Sequence, residues 1–143
     1  MEAIAGGPGV VRLAFGTIDF MLDMGLPNGG PALDIFRARI ALASRVAGIA
    51  PPIDGVTTSF EDEGLVAQDA RHALLLGFGA KLLIHPRQVA PAHRAMRPSP
   101  DELDWAREVL DLAARHPEGA AALRGTMVDR PVVERARRLL ARR

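Results

Sequence analysis

Three short apolar runs recur along this chain, Val10 to Phe15, Ile53 to Thr58 and Lys81 to His85, and a helix-like stretch separates each from the next. Strand, helix, strand, helix, strand in units of roughly thirty residues is the spacing of right-handed crossovers, so the pattern predicts a parallel sheet. Val10 to Phe15 is rich in β-branched residues and reads as a buried strand that Gly16 ends. Pro51 and Pro52 forbid helix before the second run, and Pro86 stops the third.

Between the strands, a helix is expected from Pro31 to Ala47, with Pro31 suited to its first turn and Gly48 to the left-handed position after it. Leu33, Phe36, Ile40 and Ala47 share one face, which Ile35, Leu42 and Val46 widen toward the breadth of a helix on a sheet. A second helix is expected from Gly64 to Leu76, closed by Gly77, and the acidic run Glu61, Asp62, Glu63 favours its positive end. Beyond Gln88 the pattern is wholly helical. Ser99, Pro100, Asp101 and Glu102 form a capping box opening a helix to about Arg115. The stretch Gly119 to Gly125 then leads to an arginine-rich helix with Asp129 as its N-cap. The chain thus divides into residues 1–97, the strand-and-helix segment, and 98–143, a helical extension that packs on it or on a neighbouring subunit.

Composition excludes several classes. Net charge is +1 and acids nearly balance the basic residues, which argues against nucleic acid as a partner. The chain has no cysteine, hence no disulfide or thiolate metal site. No apolar run is long enough to cross a membrane, and the start MEAIAGGPG lacks a secretory pattern, so a cytoplasmic protein is expected.

Chemistry in parallel α/β sheets sits at the carboxyl ends of strands. Asp19 follows the first strand, where its carboxylate could ligate Mg²⁺ or merely turn a loop or cap a short helix. Asp54 could touch a ligand or bond loop amides, and His85, at the end of the third strand, could contact a ligand or serve as hydrogen-bonded scaffolding. The other histidines complete no zinc spacing.

FGTIDF with DMG, IDGVTTSFEDEGL, LGFGAKLLIHPRQV, RPSPDEL and GTMVDRPVVERA come in an order that resembles the citrate lyase β-subunit-like proteins of the HpcH/HpaI aldolase and citrate lyase superfamily. The resemblance spans Val10 to about Leu140. It implies a (β/α)₈ barrel that makes or breaks a carbon–carbon bond in a CoA thioester such as citryl-CoA, malyl-CoA or citramalyl-CoA. In that family a glutamate and an aspartate hold Mg²⁺ and an early arginine grips a substrate carboxylate. Asp19 matches the aspartate, which turns the reading of that residue toward metal binding. His85, Pro86 and Gln88 match a block on the CoA side of the site, and Asp129 matches an aspartate that enters a neighbouring subunit's site as an acid or base.

The resemblance covers only the carboxyl-terminal part of a barrel, since a complete one takes about 250 residues. Glu2 cannot be the family's metal-binding glutamate, because too few residues separate it from Val10 for a crossover. The expectation is therefore an incomplete CoA-ester lyase, inactive alone and either homo-oligomeric or completed by a chain carrying the remaining strands. A non-catalytic, partner-binding remnant is the alternative, and an aldolase acting on free keto acids is the alternative within the superfamily.

Overall fold

The computed structural model describes residues 1–116 and 121–142. They form two compact units, Met1–Met96 and Arg97–Arg143. In the first unit a short helix α1 (Glu2–Ala5) precedes β1 (Arg12–Ala14), α2 (Thr17–Asp23), α3 (Pro31–Val46), β2 (Ala50–Asp54), α4 (Glu63–Leu75), β3 (Ala80–Lys81), a 3₁₀ turn (Pro86–Gln88) and α5 (Val89–Met96). The three strands make one parallel sheet in the order β1-β2-β3, so β1 and β3 are each paired on one side among the described residues. The parallel α/β arrangement is the one the spacing of apolar runs implied.

The strands differ from expectation in extent. β2 begins before the proline pair and ends at Asp54, so Asp54 stands at the strand's carboxyl end rather than near its start. Prolines survive in this central strand because the register between β1 and β2 is irregular where they lie. Their carbonyls still work: Pro51 accepts from the Arg12 side chain, and Pro52 accepts from the Gly79 amide at 3.0 Å. β3 is shorter than expected, Ala80–Lys81, because a side chain intervenes beyond it. The Leu82 amide still bonds to Asp54, but the amides of Ile84 and His85 donate to Gln88 Oε1.

Helix ends follow the sequence chemistry. Asp62 caps α4 by accepting from the Leu65 amide at 2.9 Å. Gly48 (φ +69°) and Gly77 (φ +89°) take the left-handed backbone that follows α3 and α4. Phe15, Leu33, Ile40, Ala73 and Phe78 form the main core, and Val66, Ala70, Ala92 and Ala95 join α4 to α5. Ile35, Leu42 and Val46 do not widen the buried face of α3. They are 66%, 63% and 75% exposed, because the helix turns only the Leu33–Ile40 side to the sheet.

The second unit holds α6 (Pro100–Arg115), strands β4 (Ala121–Leu123) and β5 (Thr126–Val128), and α7 (Arg130–Ala141). Both bonds of the Ser99–Glu102 capping box are present. The expectation of helix alone after Gln88 gives way here to an antiparallel hairpin. Its two-residue turn is Arg124-Gly125, both with positive φ, as a type I′ turn requires. Arginine is an unusual first residue for that turn, and the glycine–alanine stretch hid the strands; Gly119 itself lies outside the described residues. Ala106, Val109, Val128, Ala136 and Leu139 form this unit's core, and Arg135 stacks over Trp105 at 4.9 Å.

Candidate functional site

Because the three strands run parallel, the segments after β1, β2 and β3 leave the sheet at one end. Asp19 lies there in the first turn of α2, exposed to solvent. The loop after β2 closes tightly on the same helix: a Cβ at Gly55 would stand 2.0 Å from the hydroxyl oxygen of buried Thr17. Only glycine lets the β2 loop approach α2 so closely.

Asp54 is 2% exposed and engaged on the helix-covered side of the sheet. Its Oδ1 accepts from Arg37 Nε at 2.8 Å, and its Oδ2 lies 3.9 Å from Lys81 Nζ. Lys81 donates to the Gly55 carbonyl at 2.7 Å, and Arg37 also donates to Asp34, which His72 Nε2 meets at 2.9 Å. The result is a chain in which the carboxylates of Asp34 and Asp54 alternate with the cations of Arg37 and Lys81, with the His72 ring bonded to Asp34 at one end. Burial lowers the Lys81 pKa, with Asp54 and Asp69 opposing the shift. For Arg37 burial also acts downward, but the bonds and charges of Asp54 and Asp34 outweigh it and the pKa is raised. Burial would raise Asp34, yet hydrogen bonds from His72 and Arg37 hold it below its ordinary value. A cavity of about 250 Å³ beside these groups is lined in part by Thr17, Arg37, Asp54, Thr57, Asp69 and His72. Asp54 thus has both its oxygens next to cations of its own fold, an arrangement that fixes the end of β2 and the start of α3.

Gln88 is fully buried and all its polar capacity is spent. Oε1 accepts from the amides of Ile84 (2.9 Å) and His85 (3.3 Å), while Nε2 donates to the carbonyls of Thr57 (2.8 Å) and Ser59 (3.0 Å). It ties the loop after β2 to the loop after β3 and lies behind the surface on which His85 and Pro86 stand. His85 stacks on Phe60 with centroids 4.8 Å apart, and its Nδ1 accepts from the Arg87 amide.

Asp19, His85 and Pro86 therefore share the carboxyl end of the sheet; Gln88 and Asp54 support it from within. Asp129 belongs to the other unit, where it caps α7 through the Val132 amide. Arg37, Thr17, Phe60 and Lys81 were not singled out from sequence, although Lys81, the chain's one lysine, set within a strand, was a usable signal. Among the described residues no three His, Cys, Asp or Glu side chains gather to hold a metal ion, so Asp19 could supply one ligand of a magnesium site but not the set. No helix among the described residues is long and apolar enough to cross a membrane.

A parallel sheet flanked by helices, with its polar residues at the strands' carboxyl ends, is the arrangement of an α/β protein, shared by open sheets and barrels. The chain belongs to the HpcH/HpaI aldolase/citrate lyase family, which its residues 1–86 match. It is 37% identical over 139 residues to a citrate lyase subunit beta-like protein of Deinococcus radiodurans, covering 94% of this chain and 49% of that one. It is 30% identical to the mitochondrial citramalyl-CoA lyase of Mus musculus, covering 97% of this chain and 44% of that one. The structure of protein CitE from Mycobacterium tuberculosis in complex with magnesium, acetoacetate and coenzyme A superposes with a TM-score of 0.89 at 30% identity, over 99% of this chain and 55% of that one. The chain thus spans about half the length of these relatives.

Proposed function

We propose that this chain is the carboxyl-terminal part of a magnesium-dependent lyase that cleaves a carbon–carbon bond in a CoA thioester of the citryl-, malyl- or citramalyl-CoA type. The observation that carries the reading is the match over 99% of the chain to a structure that holds magnesium, acetoacetate and CoA, together with Asp19 and His85 at the same end of the parallel sheet. In the cleavage, a base takes the proton of the β-hydroxyl group, the carbon–carbon bond breaks to give a carbonyl product, and its electrons pass to the thioester enolate, which is then protonated. Magnesium would polarise the oxygens of the carbonyl product when bound.

Asp19 is one carboxylate ligand in this account, and the rest of the donor set and the arginine for the substrate carboxylate come from strands beyond these residues. His85 and Pro86 form part of the CoA-side wall, with Gln88 holding it in place. Asp129 presents its carboxylate to the site of a second subunit, which makes the active form an oligomer. The chain alone lacks activity because metal, base and carboxylate grip act as a unit, and losing such groups costs orders of magnitude.

Calorimetry on the completed barrel tests the Asp19 role. Mg²⁺ should bind the completed barrel more tightly than this chain alone, and Asp19→Asn should remove most of that gain. Equal affinity with and without the carboxylate would refute it. Asp129 is best tested as Asp129→Asn, since asparagine caps a helix about as well as aspartate, so the change removes charge without uncapping α7. Undiminished turnover in that variant of the completed enzyme would exclude an acid or base role.

A further inference from the structure

The hydrogen bonds around Gln88 have a chemical consequence for His85. The Arg87 amide donates to His85 Nδ1 at 3.1 Å, which requires that nitrogen to be an acceptor. In the neutral imidazole the proton then sits on Nε2. What holds the Arg87 amide against the ring is the tight 3₁₀ turn Pro86–Gln88, and what holds that turn is the Gln88 side chain, whose Oε1 takes the amides of Ile84 and His85. Gln88 Nε2 anchors the same unit to the carbonyls of Thr57 and Ser59, next to Phe60, on whose ring the imidazole stacks at an interplanar angle of 22°.

We propose that Gln88 is a positioning residue that fixes His85 in its Nε2–H tautomer, making the imidazole a one-way hydrogen-bond donor toward an acceptor oxygen of the ligand at the carboxyl end of the sheet. The ligand's identity as a CoA thioester rests on the function proposed above; the tautomer and its dependence on Gln88 do not. Gln88 is 0% exposed, and its Nε2 reaches carbonyls 29 and 31 residues away in sequence. A side chain in that position with no amide leaves four backbone groups without partners, and the turn that orients the imidazole loosens.

Nitrogen NMR of the histidine rings in the full chain, with the rings neutral and no ligand added, reads the tautomer directly. The wild type should show His85 as a single Nε2-protonated form. In Gln88→Met, which keeps the side chain's length and apolar bulk, that single pattern should be lost to a mixture with the Nδ1-protonated form, while His72, held by Asp34, keeps its signals and far-UV circular dichroism keeps its helical content. An Nδ1-protonated His85 in the wild type, or an unchanged tautomer in a folded Gln88→Met chain, would overturn the proposal. Should that variant fail to fold, the wild type still decides: the Gln88 side-chain amide protons should exchange far more slowly than those of a solvent-exposed glutamine, and exchange at the free rate would overturn it. Because no substrate enters the measurement, a failure of the lyase reading cannot be mistaken for a failure of this one.

Discussion

Replacing Asp54 with alanine removes the one carboxylate that stands between two nearly buried cations. Arg37 and Lys81 have side chains 12% and 2% exposed, so neither is solvated well enough to stand alone. Removing one member of a buried ion pair costs about 3–5 kcal/mol, most of it the penalty of the charge left behind. Arg37 keeps Asp34 at 3.0 Å and Lys81 keeps the Gly55 carbonyl at 2.7 Å, which puts the expected loss near the lower end, about 3 kcal/mol. A unit the size of Met1–Met96 has about 5–14 kcal/mol of stability in all, so the variant should fold with little reserve. With a urea slope of about 2 kcal/mol per molar, the midpoint should fall by about 1.5 M. The probe matters: the one tryptophan, Trp105, is in the other unit, so unfolding should be followed by far-UV circular dichroism or amide exchange. The exposed pair Arg94–Glu63 is the control, and Glu63→Gln should move the midpoint far less, as such pairs contribute about 0–1 kcal/mol. A midpoint for Asp54→Ala within about 0.3 M of wild type, a margin of roughly 0.6 kcal/mol on the same slope, would refute the scaffold role and return Asp54 to the list of ligand contacts.

Three further outcomes follow from the same geometry. Gly55→Ala should destabilise the first unit by about 1–3 kcal/mol, since its Cβ would meet the Thr17 side chain 2.0 Å away, and a urea midpoint equal to wild type would show that the loop yields freely. Ser99→Ala should cost about 1 kcal/mol by removing the acceptor for the Glu102 amide, read as a lowered midpoint by Trp105 fluorescence in the second unit. Lys81 makes the alkaline range informative, because the chain has no tyrosine or cysteine and no other lysine. Its folded pKa lies below the ordinary lysine value of 10.5, so the unfolded chain binds the extra proton and stability rises with pH through the interval between the two values, the cost of the buried charge being fully present below it. Urea midpoints measured as the pH is raised toward 10.5 should rise in the wild type and lose that rise in Lys81→Met; a slope that persists would place its source elsewhere.

The parallel sheet was legible because hydrophobic periodicity and proline placement are local signals, and the same holds for the caps at Ser99 and Asp129, where one side chain serves an amide three residues on; Asp62, expected only as part of an acidic run favouring the helix start, is the cap itself. Strand limits were less legible. Whether Pro51 and Pro52 lie before or within β2 depends on a register irregularity and on the Arg12 side chain 39 residues away, neither of which leaves a mark in the local pattern. The exposure of Ile35, Leu42 and Val46 could not be read from helical spacing, which says which residues share a face but not which face meets the sheet. Asp19 and His85 were placed at the strand ends by position alone. Gln88 was named only through the family resemblance, and its four hydrogen bonds, which span two loops, emerge only with the tertiary structure.

If this chain carries one part of a CoA-thioester lyase site, it depends on the barrel's other strands for the rest. Release of keto acid from citryl-CoA, malyl-CoA and citramalyl-CoA should be measured with the chain alone and after co-expression with the amino-terminal half of a related barrel. The chain alone should give no turnover, the reconstituted pair should turn over at least one thioester, and Asp19→Asn should abolish that turnover. Turnover by the chain alone that disappears in Asp19→Ala would contradict that dependence, since a single exposed carboxylate would then be doing work assigned here to a complete metal site.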